Sequence, residues 1–308
     1  MLKYFCKRVI MMFPIILGIS FIIFSILNLT PGDPVTIILG DTATPEAKEA
    51  LREQLGLNGG FFVRYFRYVI NALHGNFGQS YRSGLPVIEE LMARIPVTFR
   101  LSIVGIGIVI CIGIPIGIIS AIRQYSLLDN VCVAGALIIA SMPVFWLGLM
   151  LIMIFSLKLN MFPATGTGTW KNYVLPAITN SAIGVATLVR MTRSSMLESM
   201  RQDYIRTAKA KGAGEAGIVI KHALKNALLP IVTIIGTNFA IMLSGAMITE
   251  TVFALPGLGS LIVTGVRQKD TPVVIAAVIF IAVAISVINL IVDIIYTIID
   301  PRLKSTLR

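Results

Sequence analysis

What most limits the fold of this chain is a set of apolar runs longer than the ~20 residues that a helix needs to cross ~30 Å of hydrocarbon. They fall at about 9–29, 101–122, 131–157, 228–249 and 273–299, with a shorter and more polar run at 175–191. Inside hydrocarbon every backbone N–H and C=O has to be satisfied within the protein, and runs of this kind achieve that as helices. An all-α integral membrane protein with six transmembrane helices is therefore expected. A composition of 56% hydrophobic and 13% charged residues agrees with it.

Charge orients the helices. Lys3, Lys7 and Arg8 precede the first run, which is too long for a signal peptide core and lacks an A-x-A-like cleavage site. It reads as an uncleaved helix that starts in the cytosol, and six crossings return the C-terminus there. In this topology the segment from Arg190 to Lys225, with eight Lys and Arg, is cytoplasmic, as the positive-inside rule expects. The net charge of +11 thus calls for no nucleic-acid partner.

The chain divides into 1–30 (cytoplasmic N-terminus and first helix), an extracytoplasmic helical region at 31–98, and a core at 99–308. In the second part, Thr44 caps a helix from Pro45 to Gly56, Phe61 to Leu73 forms an aromatic amphipathic helix, and Leu85 to Ile95 forms a third. The stripe of Phe61, Phe62, Tyr65, Phe66 and Tyr68 is expected to pack on the bilayer surface or the helix's own core, in preference to a peptide. In the core, Gly113-Ile114-Pro115-Ile116-Gly117 predicts close helix contact, and Pro143 a bend in the third span. The fourth span, with Thr179, Asn180, Ser181, Gly184 and Thr187, is expected to be enclosed by other helices. Trp170 and Tyr173 suit the interfacial belt.

The segment 203–230, DYIRTAKAKGAGEAGIVIKHALKNALLP, organises the rest. Asp203 is expected to cap about two helical turns over Tyr204 to Lys211. Gly212 ends them in the left-handed conformation, and a second helix starts near Glu215 and runs into the fifth span. Thr207, Ala208 and Gly212, with Ala223, Leu224 and Pro230, resemble the cytoplasmic "EAA" loop of ABC importer permeases. The variant is that of the dipeptide, oligopeptide and nickel branch, which shares the departures at Arg206 and Thr207. The Pro31-Gly32-Asp33-Pro34, Leu55-Gly56-Leu57, Gly75 to Ser80 and Arg94 to Thr98 runs resemble the same family, as do Glu250 to Gly259 (ETVFALPGLG) and Asp300-Pro301-Arg302.

The resemblance, to the first permease subunit of dipeptide-permease B type, implies a type I ABC importer permease fold in a bacterial or archaeal inner membrane. It implies a coupling helix whose docking contact involves Tyr204, Arg206, Thr207, Ala208, Lys211 and Gly212. The implied partners are a second permease subunit, two cytoplasmic ATPase subunits that bind ATP and Mg, an extracytoplasmic substrate-binding protein, and membrane lipids. A substrate pathway through Asn238, Ser244 and Glu250 is a further expectation.

The chain itself is not expected to be an enzyme or to hold a cofactor. It contains no GxxxxGK[ST] phosphate loop, no HExxH and no GxSxG. His74 and His222 fall on opposite sides of the membrane, and Cys6, Cys111 and Cys132 form no CxxC, so no metal site is expected. The carboxylates in or at spans, Glu250 and Asp293, lie near predicted helix ends and suit capping or a structural ion pair. A permease for di- or oligopeptides is the main reading, with nickel or metal chelates and glutathione as alternatives. An ion-driven secondary transporter stands further off, because no inverted repeat is visible.

Overall fold

The computed structural model describes residues 2–29 and 32–299. Among them every regular element is a helix. In chain order these are α1 Leu2–Leu29, α2 Pro34–Leu39, α3 Pro45–Gln54, α4 Phe61–Leu73, α5 Val87–Ile122, α6 Leu127–Ser141 and α7 Val144–Leu151, which continues as a π-helix over Ile152–Lys158. Then follow α8 Lys171–Met200, α9 Asp203–Ala210, α10 Glu215–Gly217, a π-helix at Ile218–Leu224, α11 Lys225–Val252, α12 Leu258–Arg267 and α13 Thr271–Ile299. Five helical stretches are long and apolar enough to cross a membrane, or six if the bent pair α6–α7 is one span. Pro31 and the Asp300-Pro301-Arg302 run lie outside the described residues.

The chain forms two compact units. One joins Lys7–Thr98 to Pro256–Ala284. Within it Asp33 and Pro34 start α2: the Asp33 carboxylate accepts from Val35 N at 3.2 Å, Pro34 takes the first helical position, and Arg52 of α3 pairs with the same carboxylate. Thr44 caps α3 as expected, its hydroxyl accepting from Ala47 N at 3.3 Å. Asp270, before α13, accepts from the Ser80 hydroxyl and from Tyr81 N, which fastens the 79–86 loop to the turn between α12 and α13. Burial pushes the Tyr81 phenol up to about 12, with Asp270 adding to the shift and Arg64 opposing it.

The helix expected at 85–95 is not separate: α5 begins at Val87 and runs through Pro96 to Ile122. No Gly or capping residue follows Ile95, so Pro96 alone opposes continuation, at a cost of about 3 kcal/mol. Leu91 and Leu101, fully buried on either side, each return about 2 kcal/mol.

The second unit holds Phe99–Leu255 and the stretch from Ile285. Its central helix is α8, which packs against α6, α7 and α11. Over its most apolar window 56% of α8 is buried, against 11% for α1, so the most polar span is the enclosed one, as its composition predicts. Gly113 and Gly117 of α5 face α8. A Cβ on Gly117 would sit 2.5 Å from the Thr192 Cβ and 2.8 Å from the Val189 carbonyl oxygen, so only glycine permits this approach. Pro143 separates α6 from α7 with a 100° bend. Trp170 is exposed as a belt residue would be, but Tyr173 is buried.

Candidate functional site

The segment that the sequence singles out folds into a short knuckle. The backbone of Gln202 is extended and caps α9 without a side-chain bond, so Asp203 is the first helical residue and not the cap. Its carboxylate still complements the helix dipole there, 3.7 Å from the Arg206 guanidinium with both groups in solvent. The other end closes as a Schellman motif. Gly212, at φ +78°, donates its N–H to the Lys209 carbonyl at 2.9 Å, and Ala213 N donates to the Ala208 carbonyl at 3.1 Å. The chain then turns at Gly214 into α10 and the π-helical stretch, and continues without a break into α11.

Two residues fasten the knuckle to its unit. Ile205 points inward and joins the buried cluster that holds Met196 of α8 with Ile218 and Ala223 of the π-helix, and Ala208 is buried on the same side of α9. Ala208 is only 7% exposed, so its methyl lies mostly on the inner side of α9. Tyr204, Arg206, Thr207, Lys211 and Gly212 all face outward. Beside them lies a shallow polar cleft lined by Arg193, Ser194, Leu197, Glu198, Arg201 and Gln202.

Sequence reasoning missed an ion pair at the same end of α8. The Asp129 carboxylate is buried and takes both prongs of the Arg193 guanidinium, from Nε and Nη2 at 2.7 Å each. It also accepts from the Ser120 hydroxyl and from Tyr125 N. One carboxylate thus joins the end of α5, the start of α6 and the last turns of α8, about two turns before that helix ends at Met200. The local signal was Ser126-Leu127-Leu128-Asp129, which reads as a capping box; Ser126 does accept from Asp129 N, at 3.2 Å.

The three expected pathway residues do not share a face. At 100° per residue, spacings of six and twelve place them about a third of a turn apart on α11. Asn238 is buried against α8, where a Cβ on Gly184 would lie 3.5 Å from its Cγ, and its Nδ2 has no hydrogen-bond partner among the described residues. Glu250 is fully buried, and only Ser244 is exposed. Ser244 belongs instead to an exposed stripe of Thr233, Thr237, Ile241, Ser244, Ile248 and Thr251. Each hydroxyl in this stripe donates to a carbonyl one turn back, at 2.7–3.1 Å, so the surface is polar yet satisfied. Among the described residues no group of His, Cys, Asp and Glu is placed to hold a metal ion.

Comparison with known proteins agrees with this architecture. Residues 113–305 match the family model of the binding-protein-dependent transport system inner membrane component, and 1–102 match the N-terminal model of such membrane components. The dipeptide transport system permease protein DppB of Alkalihalophilus pseudofirmus is 39% identical, over 99% of this chain and 100% of its own. The oligopeptide transport system permease protein AppB of Bacillus subtilis is 40% identical, over 99% and 100%. The glutathione transport system permease protein GsiC of Escherichia coli is 36% identical, over 99% of each. Among solved structures, a chain of the MetNI methionine ABC transporter shares the fold, with a TM-score of 0.60 and 17% identity over 68% of this chain and 96% of its own. The chain belongs to the inner-membrane permease components of binding-protein-dependent ABC transport systems.

Proposed function

We propose that this chain is one of two permease subunits in an ATP-driven importer of di- or oligopeptides, and that α9 is where separate ATPase subunits push on it. The observation that carries this reading is the build of α9: an apolar side locked into the core by Ile205 and Ala208, and an exposed side of Tyr204, Arg206, Thr207 and Lys211. A surface fixed in this way transmits force from a docked protein into α8 and α11, which it joins. Closure of two ATPases on nucleotide would tilt those helices and exchange one packing of the gate for the other, the two-state element that alternating access needs. The exposed stripe from Thr233 to Thr251 is the best candidate on this chain for one wall of the solute path, because its hydroxyls present polar atoms without an unmet donor. An extracytoplasmic binding protein would deliver the solute. The termini and α9 are assigned to the cytosol on the distribution of basic residues.

Peptides are favoured as solute by the dipeptide and oligopeptide relatives, and the similarity to GsiC supports glutathione, a tripeptide, as the second reading. The test is reconstitution with the second permease, the ATPases and the binding protein in liposomes. ATP-dependent accumulation of a radiolabelled dipeptide, displaced by excess unlabelled peptides and not by glutathione, is the expected result. Accumulation by this chain alone, without any ATPase, would overturn the reading.

A further inference from the structure

The amphipathic helix α4 has three faces of nearly equal width. At 100° per residue, Phe61, Tyr65, Tyr68, Val69 and Ala72 form one, Arg64, Arg67, Asn71 and His74 the next, and Phe62, Val63, Phe66, Ile70 and Leu73 the third. The first is packed: Phe61, Tyr65, Tyr68 and Val69 join a cluster with Phe24 and Leu27 of α1 and Ile275 and Ile279 of α13. Phe21 and Phe24 meet the Phe61 and Tyr65 rings edge-on at 5.2–5.9 Å. The third face is fully exposed, and all its members are large and apolar.

The height at which α4 is held says what covers that face. The Tyr65 hydroxyl donates to the Leu17 carbonyl at 3.0 Å and lies 3.0 Å from the Ser20 hydroxyl. Both belong to the apolar span Arg8–Leu29. At 1.5 Å per residue Phe24, against which the α4 rings pack, lies ~8 Å below the Leu29 end of α1, inside the near half of a hydrocarbon layer ~30 Å thick, and the tip of Tyr65 reaches down to Leu17, near its middle. A helix docked there, with a bare apolar side and with Phe21, Ile22 and Ile26 exposed on the same stretch of α1, meets acyl chains. Its cationic side then turns toward the headgroups, the division expected of a helix lying in the membrane interface.

We infer that α4 is a lipid-embedded helix in the leaflet at the Leu29 end of α1, and that Phe62, Phe66, Ile70 and Leu73 contact phospholipid acyl chains. This requires only that α1 crosses the bilayer and makes no use of the solute. The test places p-benzoyl-phenylalanine at Phe66 and, separately, at Ile70 in the assembled importer in cell membranes, with Glu46 of the polar helix α3 as control. After irradiation the expected products are phospholipid adducts of the subunit at both α4 positions and none at the Glu46 position, detected by intact mass. Adducts to another protein subunit at Phe66 and Ile70, or no lipid adduct at either, would overturn the inference. Peptide uptake measured on the same membranes reports on the transport function separately.

Discussion

At the scale of single residues, the pair Asp129–Arg193 shows how a charge beside a membrane core is kept. Asp129 is held by four hydrogen bonds and has no route to water, whereas the Arg193 side chain is about a quarter exposed. The two partners are therefore unequal. If Asp129 is changed to Asn, one acceptor oxygen becomes an NH2 donor and two of the four bonds are lost, but the guanidinium can reach solvent along its stem, so the expected cost is about 2 kcal/mol. If Arg193 is changed to Met, a buried carboxylate is left with only Ser120 and Tyr125, and the expected cost is larger, about 3–5 kcal/mol. Thermal unfolding of the purified permease complex should rank Arg193→Met below Asp129→Asn and both below wild type. The opposite order would show that the arginine, not the carboxylate, is the stranded charge.

At the scale of elements, α9 separates two ways of losing transport. Arg206→Glu combined with Lys211→Glu reverses charge on the exposed side and leaves the buried anchors Ile205 and Ala208 untouched. Thermal stability is expected to stay at the wild-type level while ATP-driven uptake falls by about tenfold or more, because an interface meeting like charges is penalised by several kcal/mol. Ala208→Asp instead buries a carboxylate on the inner side of α9, so it is expected to lower the unfolding temperature as well as uptake. Uptake at the wild-type rate in the double charge variant would remove the docking assignment. The bounds of α4, the place of α9 to within a residue at each end, the Gly212 stop and the break at Pro143 were legible because each depends on neighbours in sequence: a Gly, a Pro, a period of 3.6. The continuity of α5 through Pro96 was not, since proline was outweighed by burial of Leu91 and Leu101, which sequence does not report. Nor was the inward turn of Ala208, or the pairing of Asp129 with a residue 64 positions away. That Asn238, Ser244 and Glu250 lie on different faces of α11 was already contained in spacings of six and twelve, and the exposed hydroxyl stripe on α11 was open to the same arithmetic.

At the scale of the whole molecule, one bend decides on which side the α9 knuckle lies. With a 100° break, α6 and α7 with its π-helical extension are each about 22 Å long, shorter than the hydrocarbon layer. If the pair turned back within the membrane, only five crossings would remain, and α8 would deliver α9 to the side opposite the N-terminus. The eight basic residues from Arg190 to Lys225 would then face outward, against the positive-inside rule. If the pair crosses as one broken span, the same residues face the cytosol together with Lys3, Lys7 and Arg8. The crossing is thus expected, with the loop after α7 outside. In a variant whose cysteines at 6, 111 and 132 are replaced by alanine, Thr167→Cys should react with a membrane-impermeant maleimide on intact cells, because Thr167 is exposed in that loop. Lys211→Cys should react only after the cells are permeabilised. Labelling of Lys211→Cys from outside, with Thr167→Cys protected, would mean that α6 and α7 form a re-entrant pair and that no cytoplasmic ATPase reaches α9.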